Sequence, residues 1–108
     1  MIRVMLSLDL INAEKERNDF YALLAGEGWK KARSVDTVWL KEFPFYTKTD
    51  EESMTKLRDE IASSIIKPAK QLKVKQVFYV AQLGNNNIIS RVVEKRNDLY
   101  RAYPQDLY

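Results

Sequence analysis

The chain has 108 residues with 45% apolar and 31% charged side chains and a net charge of +3, which predicts one soluble domain spanning residues 1–108. It contains no cysteine and no histidine, which excludes disulfides, thiolate metal sites, imidazole bases and imidazole metal ligands. Any catalysis would therefore depend on carboxylates, Lys, Arg, Tyr, Ser or a hard cation such as Mg²⁺ held by oxygen ligands.

The sequence gives no indication of a membrane partner or of export. No apolar run approaches the ~20 residues that a membrane-spanning helix requires. The N-terminal apolar run is short and meets Asp9 before any small-residue cleavage site, so it is a poor signal peptide. We therefore expect a cytoplasmic protein, whose mild positive charge permits a nucleic-acid partner without requiring one.

The first predicted elements are a strand and a helix. Residues 2–8 alternate between apolar side chains and others, which predicts a strand with one buried face that ends at Asp9. A helical period starts at Asn12, a good N-cap residue, and stops at Gly26 and Gly28. The apolar stripe of this helix comprises Phe20, Leu23 and Leu24.

Two strands and a loop are predicted next. Residues 29–43 fit two strands joined near Ser34–Asp36, and the second strand stops at Pro44. The stretch that follows predicts a loop with two exposed aromatic side chains, Phe45 and Tyr46.

The second half of the chain begins with a second helix. Thr49 and Glu52 form a capping box, and an apolar stripe follows until Pro68, which is predicted to end the helix. Residues 75–83 are apolar almost throughout, which predicts a central strand, and residues 84–87 predict a turn. Residues 88–103 fit either a helix or a strand hairpinned to the previous one; we favour a short strand and then a helical turn at 97–103.

This order of elements predicts the α+β class and a ferredoxin-like βαββαβ sandwich with a C-terminal extension. Such a fold has a four-stranded antiparallel sheet with two helices on one face. The other face would carry Trp39, Phe78, Tyr79 and the terminal tyrosines, which is more aromatic surface than solvent usually meets. We therefore expect a homodimer that pairs through the sheet.

Asp9 is the candidate catalytic and metal-binding residue. In a symmetric dimer, a carboxylate at the end of the first strand could meet its mate across the two-fold axis and hold one Mg²⁺. A water bound to that ion could attack a phosphodiester. The alternative is an Asp that caps the turn between strand and helix, which is common in α+β proteins.

Basic residues provide candidates for nucleic-acid binding. Lys30, Lys31 and Arg33 cluster in the second strand, and Arg17 lies in the first turn of the first helix, which we expect to lie close to Asp9. These cations could contact phosphates while nearby aromatic residues stack on bases; the aromatic candidates are Trp29, Trp39, Phe45 and Tyr46. The alternative is that the cations cover solvated faces and protect sheet edges.

Two segments resemble a known family. Residues 4–29, VMLSLDLINAEKERNDFYALLAGEGW, and residues 37–40, TVWL, resemble the small CRISPR-associated nuclease family that partners the spacer integrase. The resemblance implies a ferredoxin-like dimer in which the strand-end Asp, here Asp9, is the metal ligand; Leu8 replaces the tyrosine that usually precedes it. The length, strand order and aromatic C-terminal end also resemble the GhoS-like endoribonucleases of toxin–antitoxin pairs.

We therefore predict a small dimer that acts on nucleic acid. If it is catalytic, we expect a Mg²⁺-dependent phosphodiesterase, with RNA the favoured substrate and DNA the alternative, and with Ser7 or Ser34 assisting Asp9. The alternative is a non-catalytic ferredoxin-like dimer. It would bind a protein partner or nucleic acid through the aromatic face of its sheet and the C-terminal tail, residues 97–108.

Overall fold

The computed structural model describes residues 1–33, 37–85 and 88–107. Within these ranges the protein combines two helices with six strands, so the predicted mixture of α and β structure is confirmed. The elements are β1 (Ile2–Ile11), α1 (Arg17–Gly26), β2 (Lys30–Lys31), β3 (Val38–Phe43), α2 (Glu51–Leu72), β4 (Gln76–Leu83), β5 (Ile88–Arg96) and β6 (Leu99–Pro104). The predicted strand junction at Ser34–Asp36 and the last two residues of the predicted 84–87 turn lie outside the described residues.

The strands form one sheet in the order β2-β3-β1-β4-β5-β6, and every neighbouring pair is antiparallel. The sheet therefore has six strands, instead of the four that the predicted order of elements implies, because the C-terminal extension adds β5 and β6 beside β4. Strand β1 is central, with Leu6 opposite Trp39 of β3 on one side and Ala81 of β4 on the other.

The side chains of β1 alternate between the two faces of the sheet. Its alternate side chains are buried and form the core with both helices; they are Ile2, Val4, Leu6, Leu8 and Leu10. Helix α1 contributes Phe20 and Leu24 to this core, and α2 contributes Leu57, Ile61 and Ile65. The other side chains of β1 point away from the core, toward the side that we call the open face.

The connection between β1 and α1 differs from its prediction. Strand β1 continues past Asp9 to Ile11, because Leu10 keeps the alternation and is buried. Asn12 has a φ of 53°, in the left-handed region that Asn tolerates, and so it turns the chain instead of capping a helix. Helix α1 begins only at Arg17, and no side chain caps its first turn.

Helix α2 continues through Pro68, so the prediction that this residue ends the helix is wrong. Pro68 and Ala69 are buried, and their packing offsets the backbone hydrogen bond that proline cannot donate. The helix begins after Asp50, not Thr49, and the Asp50 carboxylate accepts a hydrogen bond from the Ser53 amide at 2.8 Å. It ends at Lys73, whose φ of 56° is typical of a C-terminal cap.

The C-terminal segment is a β-hairpin, so the predicted helical turn at 97–103 is wrong and the strand alternative is correct for residues 88–96. Strands β5 and β6 are joined by Asn97 and Asp98, with φ values of 51° and 65°. Positive φ at both central residues is the geometry of a type I′ turn, whose twist matches that of the flanking strands. Asn and Asp adopt it at lower cost than other side chains.

One buried hydrogen-bond chain connects the segment after α1 to α2. The indole N–H of Trp29 donates to Ser64 Oγ at 3.0 Å, and the Ser64 hydroxyl donates to the Ile61 carbonyl at 2.7 Å. The ring of Phe43 meets the Trp29 ring edge to face at 6.1 Å. The serine thus satisfies a buried donor that would otherwise remain unpaired.

Within the described part of the chain, neither helix is both long enough and apolar enough to cross a membrane.

We predict that Ser64→Ala lowers the free energy of unfolding by about 1–3 kcal/mol, because the Trp29 N–H loses its acceptor inside the core. Urea denaturation followed by tryptophan fluorescence measures this loss. The matched control is Ser63→Ala on the exposed side of the same helix, which should change stability by less than about 0.5 kcal/mol. Equal stabilities for the two variants would contradict the role given to Ser64.

The geometry of the hairpin turn predicts that two substitutions of Asp98 change the stability of the protein in opposite directions. Asp98→Gly should stabilise the protein by about 0.5–1 kcal/mol, because glycine adopts positive φ without strain. Asp98→Val should destabilise it by a similar or larger amount, about 1–2 kcal/mol. Both variants lose the exposed Lys95–Asp98 ion pair, so that loss cancels in the comparison of their thermal unfolding midpoints. A turn in which residue 98 had negative φ would not give opposite signs.

Candidate functional site

The open face carries an apolar band across its middle. The register places Leu40, Met5, Gln82 and Ile88 in one row, Val38, Ser7, Val80 and Ser90 in the next, and Asp9, Phe78, Val92 and Tyr103 in a third. We define the apolar band as the apolar members of these rows on β3, β1, β4 and β5: Leu40, Met5, Ile88, Val38, Val80, Phe78 and Val92. Met5, Leu40 and Ile88 are 53%, 43% and 46% exposed, whereas Val92 is buried at 1%, so the band is open to a partner along the row that contains Met5.

Charged side chains lie at the two ends of this face. At one end Arg3 pairs with Glu42 at 3.3 Å. At the other end Glu94 accepts hydrogen bonds from Gln76 at 2.8 Å and from Arg96 at 2.6 Å. These two bonds, that from Gln76 first, lower the pKa of Glu94. An apolar centre with a polar rim is the usual anatomy of a protein interface.

Asp9 lies on the open face beside the apolar band. Its position differs both from the predicted end of the strand and from the alternative of a cap between strand and helix. It is not at the end of the strand, since β1 continues for two more residues, and it lies opposite Phe78 of β4. Its side chain is exposed, and among the described residues it forms neither a hydrogen bond nor an ion pair, so it does not cap α1. Asp9 is therefore an unpaired carboxylate beside apolar side chains.

The stability of the charged form of such a carboxylate depends on its hydration. While exposed it keeps its water shell, but a surface that covers the apolar band would remove that shell. Desolvation disfavours the charged form unless a cation or a hydrogen-bond donor replaces the water. The described residues of one chain contain no group of three or more acidic side chains that could hold a metal ion.

The predicted nucleic-acid-binding residues are not brought to one place. Lys30 of β2 points to the open face beside Leu40, but its Cα lies about 17 Å from that of Asp9, two strands and four residues away. Lys31 points to the opposite face, where its amine lies 5.8 Å from the centroid of the Tyr21 ring. Arg33 is exposed after β2.

Arg17 does not join Asp9 either. It is the first residue of α1, which packs against the opposite face of the sheet. There Arg17 borders a shallow cavity of about 410 Å³ together with Glu14 and Glu16. The expectation that this helix turn lies beside Asp9 is therefore wrong, because Asp9 points to the other side of the strand.

The aromatic candidates are mostly unavailable. Trp29 and Trp39 are buried, at 2% and 3% exposure, so neither can stack on a base. Tyr79 lies opposite Leu8 and is buried among core residues. Among the described residues the expected aromatic sheet face therefore keeps Phe78 in its centre and Tyr103 at β6, and Tyr108 lies outside these residues. The guanidinium of Arg96 covers the Tyr103 ring at 3.7 Å. The centre of the open face is therefore chiefly aliphatic.

Another surface, at the connection between β3 and α2, was only partly indicated by the sequence. Phe45 is 94% exposed there, and Tyr46 beside it donates a hydrogen bond from its hydroxyl to Glu60 at 2.5 Å. That bond is the main reason that the pKa of Tyr46 is raised to about 12. Tyr46 therefore remains protonated and tied to α2 at any neutral or mildly alkaline pH.

Comparison with known protein families, with curated proteins and with solved structures finds no match for this chain.

Proposed function

We propose that this protein is a ferredoxin-like homodimer, joined through its open face, that acts on RNA as a Mg²⁺-dependent endoribonuclease. The observation that carries the proposal is Asp9, an exposed carboxylate on the central strand at the edge of the apolar band, which has no partner in the described part of the chain. A second copy of the chain is the partner that would cover the band and supply a second carboxylate at once.

The connections between strands support the ferredoxin-like part of the proposal. Helix α1 links β1 to β2, and β3 lies between those two strands in the sheet. Helix α2 links β3 to β4, and β1 lies between them. This interleaving of two strand–helix–strand units is the split βαβ pattern, to which β5 and β6 would be additions.

The size of the open face supports the dimer. Six strands about 4.8 Å apart and the ten residues of β1 outline a surface on the order of 600–800 Å². A stable interface buries about 800 Å² on each partner, so nearly the whole face would be used. The apolar band would then fill the centre, and the Arg3–Glu42 and Glu94–Arg96 pairs would form the rim.

The chemistry of Asp9 fits Mg²⁺. Carboxylate oxygens are the ligands that this ion prefers, and one or two of them suffice because it retains several waters. Bound Mg²⁺ would supply charge neutralisation and a water of lowered pKa for attack on a phosphodiester. Asp9 of each copy would hold the ion, and without it the two carboxylates would repel each other in the interface. Ser7 lies two residues away on the same face, whereas Ser34 lies outside the described residues.

We predict that the purified protein cleaves single-stranded RNA with Mg²⁺ or Mn²⁺ present, and that Asp9→Asn lowers the rate by about 100-fold or more. The measurement is gel analysis of end-labelled RNA. The matched control is Asp19→Asn, the same substitution on the exposed side of α1, which should cleave as the wild type does. Both variants should unfold within about 0.5 kcal/mol of the wild type. Cleavage that persists in Asp9→Asn, or no cleavage by any form, would contradict the catalytic proposal.

A second candidate function is a non-catalytic module that binds a protein through the open face. It is favoured by the aliphatic character of the apolar band, because sheets that bind RNA on their face use aromatic side chains there. The C-terminal tail is less suited to binding, since residues 99–104 already pair with β5 as an edge strand. In this function the protein would still dimerise or bind a partner, but no RNA would be cut.

The dimer itself is tested at Met5. Met5→Glu would place two charges in the centre of the interface, and we expect the dimer dissociation constant to rise by at least about 100-fold. Analytical ultracentrifugation over a concentration series measures it. Ala22→Glu on the exposed side of α1 is the control and should leave the constant unchanged. If Met5→Glu dimerised as tightly as the wild type, the open face would not be the interface.

A further inference from the structure

The turn between β3 and α2 holds one aromatic side chain out in solvent. Phe43 ends β3 in the core, and the Tyr46 amide donates to the Phe43 carbonyl at 3.4 Å, which closes a turn with Pro44 at its second position. The rings of Phe43 and Tyr46 meet edge to face at 6.1 Å. Both ends of the turn are therefore anchored, and Phe45, 94% exposed, is presented at its tip.

A cavity of about 550 Å³ lies beside this turn. Its walls come from the end of β3, the turn itself and the first three turns of α2, and they include Phe45, Tyr46, Lys48, Ser53 and Lys56. This volume is within the range of pockets that hold small ligands. A single exposed apolar residue needs no explanation, but an exposed ring at the rim of a cavity lined by cations does.

The charges on the walls favour an anion. Lys48 forms no ion pair among the described residues, and Lys56 has only an exposed pair with Glu52 at 3.5 Å, which is weak in water. The two wall carboxylates are already engaged: Glu42 with Arg3 at 3.3 Å, and Glu60 with the Tyr46 hydroxyl. A third carboxylate, Asp50, lies near both lysines and accepts a hydrogen bond from the Ser53 amide. An anionic ligand would therefore meet the two ammonium groups beside carboxylates that already have partners.

Lys41 stabilises the floor of the cavity rather than the ligand. Its amine donates to the Glu27 carbonyl at 2.5 Å, at the C-terminal end of α1, and lies 4.9 Å from the centroid of the Phe43 ring. A cation at a helix C-terminus is held by the helix dipole. The wall beneath Phe45 is thus fixed before any ligand binds.

An exposed aromatic ring beside lysines is the combination that binds single-stranded nucleic acid. A base stacks on the ring, and the adjoining phosphates contact the ammonium groups. Stacking is open to unpaired bases only, because a duplex hides the faces of its bases. Of the four aromatic residues predicted to stack on bases, Phe45 has a ring that is free to do so. Trp29 and Trp39 are buried, and Tyr46 packs against Phe43.

We propose that the cavity between β3 and α2 binds single-stranded nucleic acid, with one base stacked on Phe45 and the neighbouring phosphates on Lys48 and Lys56. For the class of ligand the inference rests on the proposed function, and it deepens that function by giving the strand a second contact site. The site lies at the Ile2 end of β1, about 24 Å along the strand from Asp9. Binding and cleavage can therefore be separated.

Fluorescence anisotropy with a labelled 12-nucleotide oligouridine at low salt tests the inference. The wild type should bind, and Phe45→Ala should weaken binding by about 5- to 150-fold, the loss of one stacked base. The control is Leu23→Ala, which removes a partly exposed apolar side chain of α1 on the helical side of the sheet and should bind as the wild type does. Lys48→Gln should lower the slope of log Kd against log salt by about 0.7.

Three outcomes would overturn the inference: no binding of oligouridine by the wild type, equal binding by Phe45→Ala, or displacement of the oligonucleotide by an acidic peptide such as polyglutamate at similar concentration. The last outcome would make the cavity a general anion or peptide site. The proposed nuclease function fails separately, when Asp9→Asn cleaves as the wild type does. Dimer mass, measured for each variant, confirms that a change in binding does not come from a change in assembly.

Discussion

The structure depends on the two-residue period of β1. This strand is hydrogen-bonded on both sides, to β3 and to β4, and it buries every second side chain under both helices. The same period places the remaining side chains on the open face, among them Met5 and Asp9. A slip of one residue would exchange the two sets, which the core forbids. The position of Asp9 on the open face is therefore set by the apolar residues around it in the sequence.

That arrangement gives the open face two opposing requirements. Covering the apolar band would remove Met5 and Leu40 from water, which is favourable. The same cover would desolvate Asp9, which is unfavourable unless a cation or a hydrogen-bond donor accompanies it. A second copy with a shared divalent ion meets both requirements, whereas a purely apolar partner meets only the first. Assembly and the charge of Asp9 are thus linked in this account.

The sequence predicted the parts of the fold that depend on periodicity, such as β1, β4 and the apolar stripe of α2. The predictions were wrong at residues where packing outweighs the usual structural preference of the residue type. Pro68 remains in α2 because its neighbours are buried, and Asn97–Asp98 forms a turn although the segment also fits a helix. Asp9 does not end β1, because Leu10 continues the alternation of buried side chains. The sequence did not show on which face of the sheet each candidate cation lies. Neighbouring residues of a strand point to opposite faces, as Lys30 and Lys31 do.

The open face, centred on β1, and the cavity beside Phe45 lie at different places on the molecule, and we infer that the open face is covered in solution. The most direct measurement is methyl NMR over a concentration series, combined with the mass from ultracentrifugation. We expect the mass to rise from 12.7 kDa toward twice that value, with the Met5 and Val80 methyl resonances shifting in step and that of Ala22 unchanged. A mass that stays at 12.7 kDa up to millimolar concentration, or shifts confined to the helical side, would contradict the account.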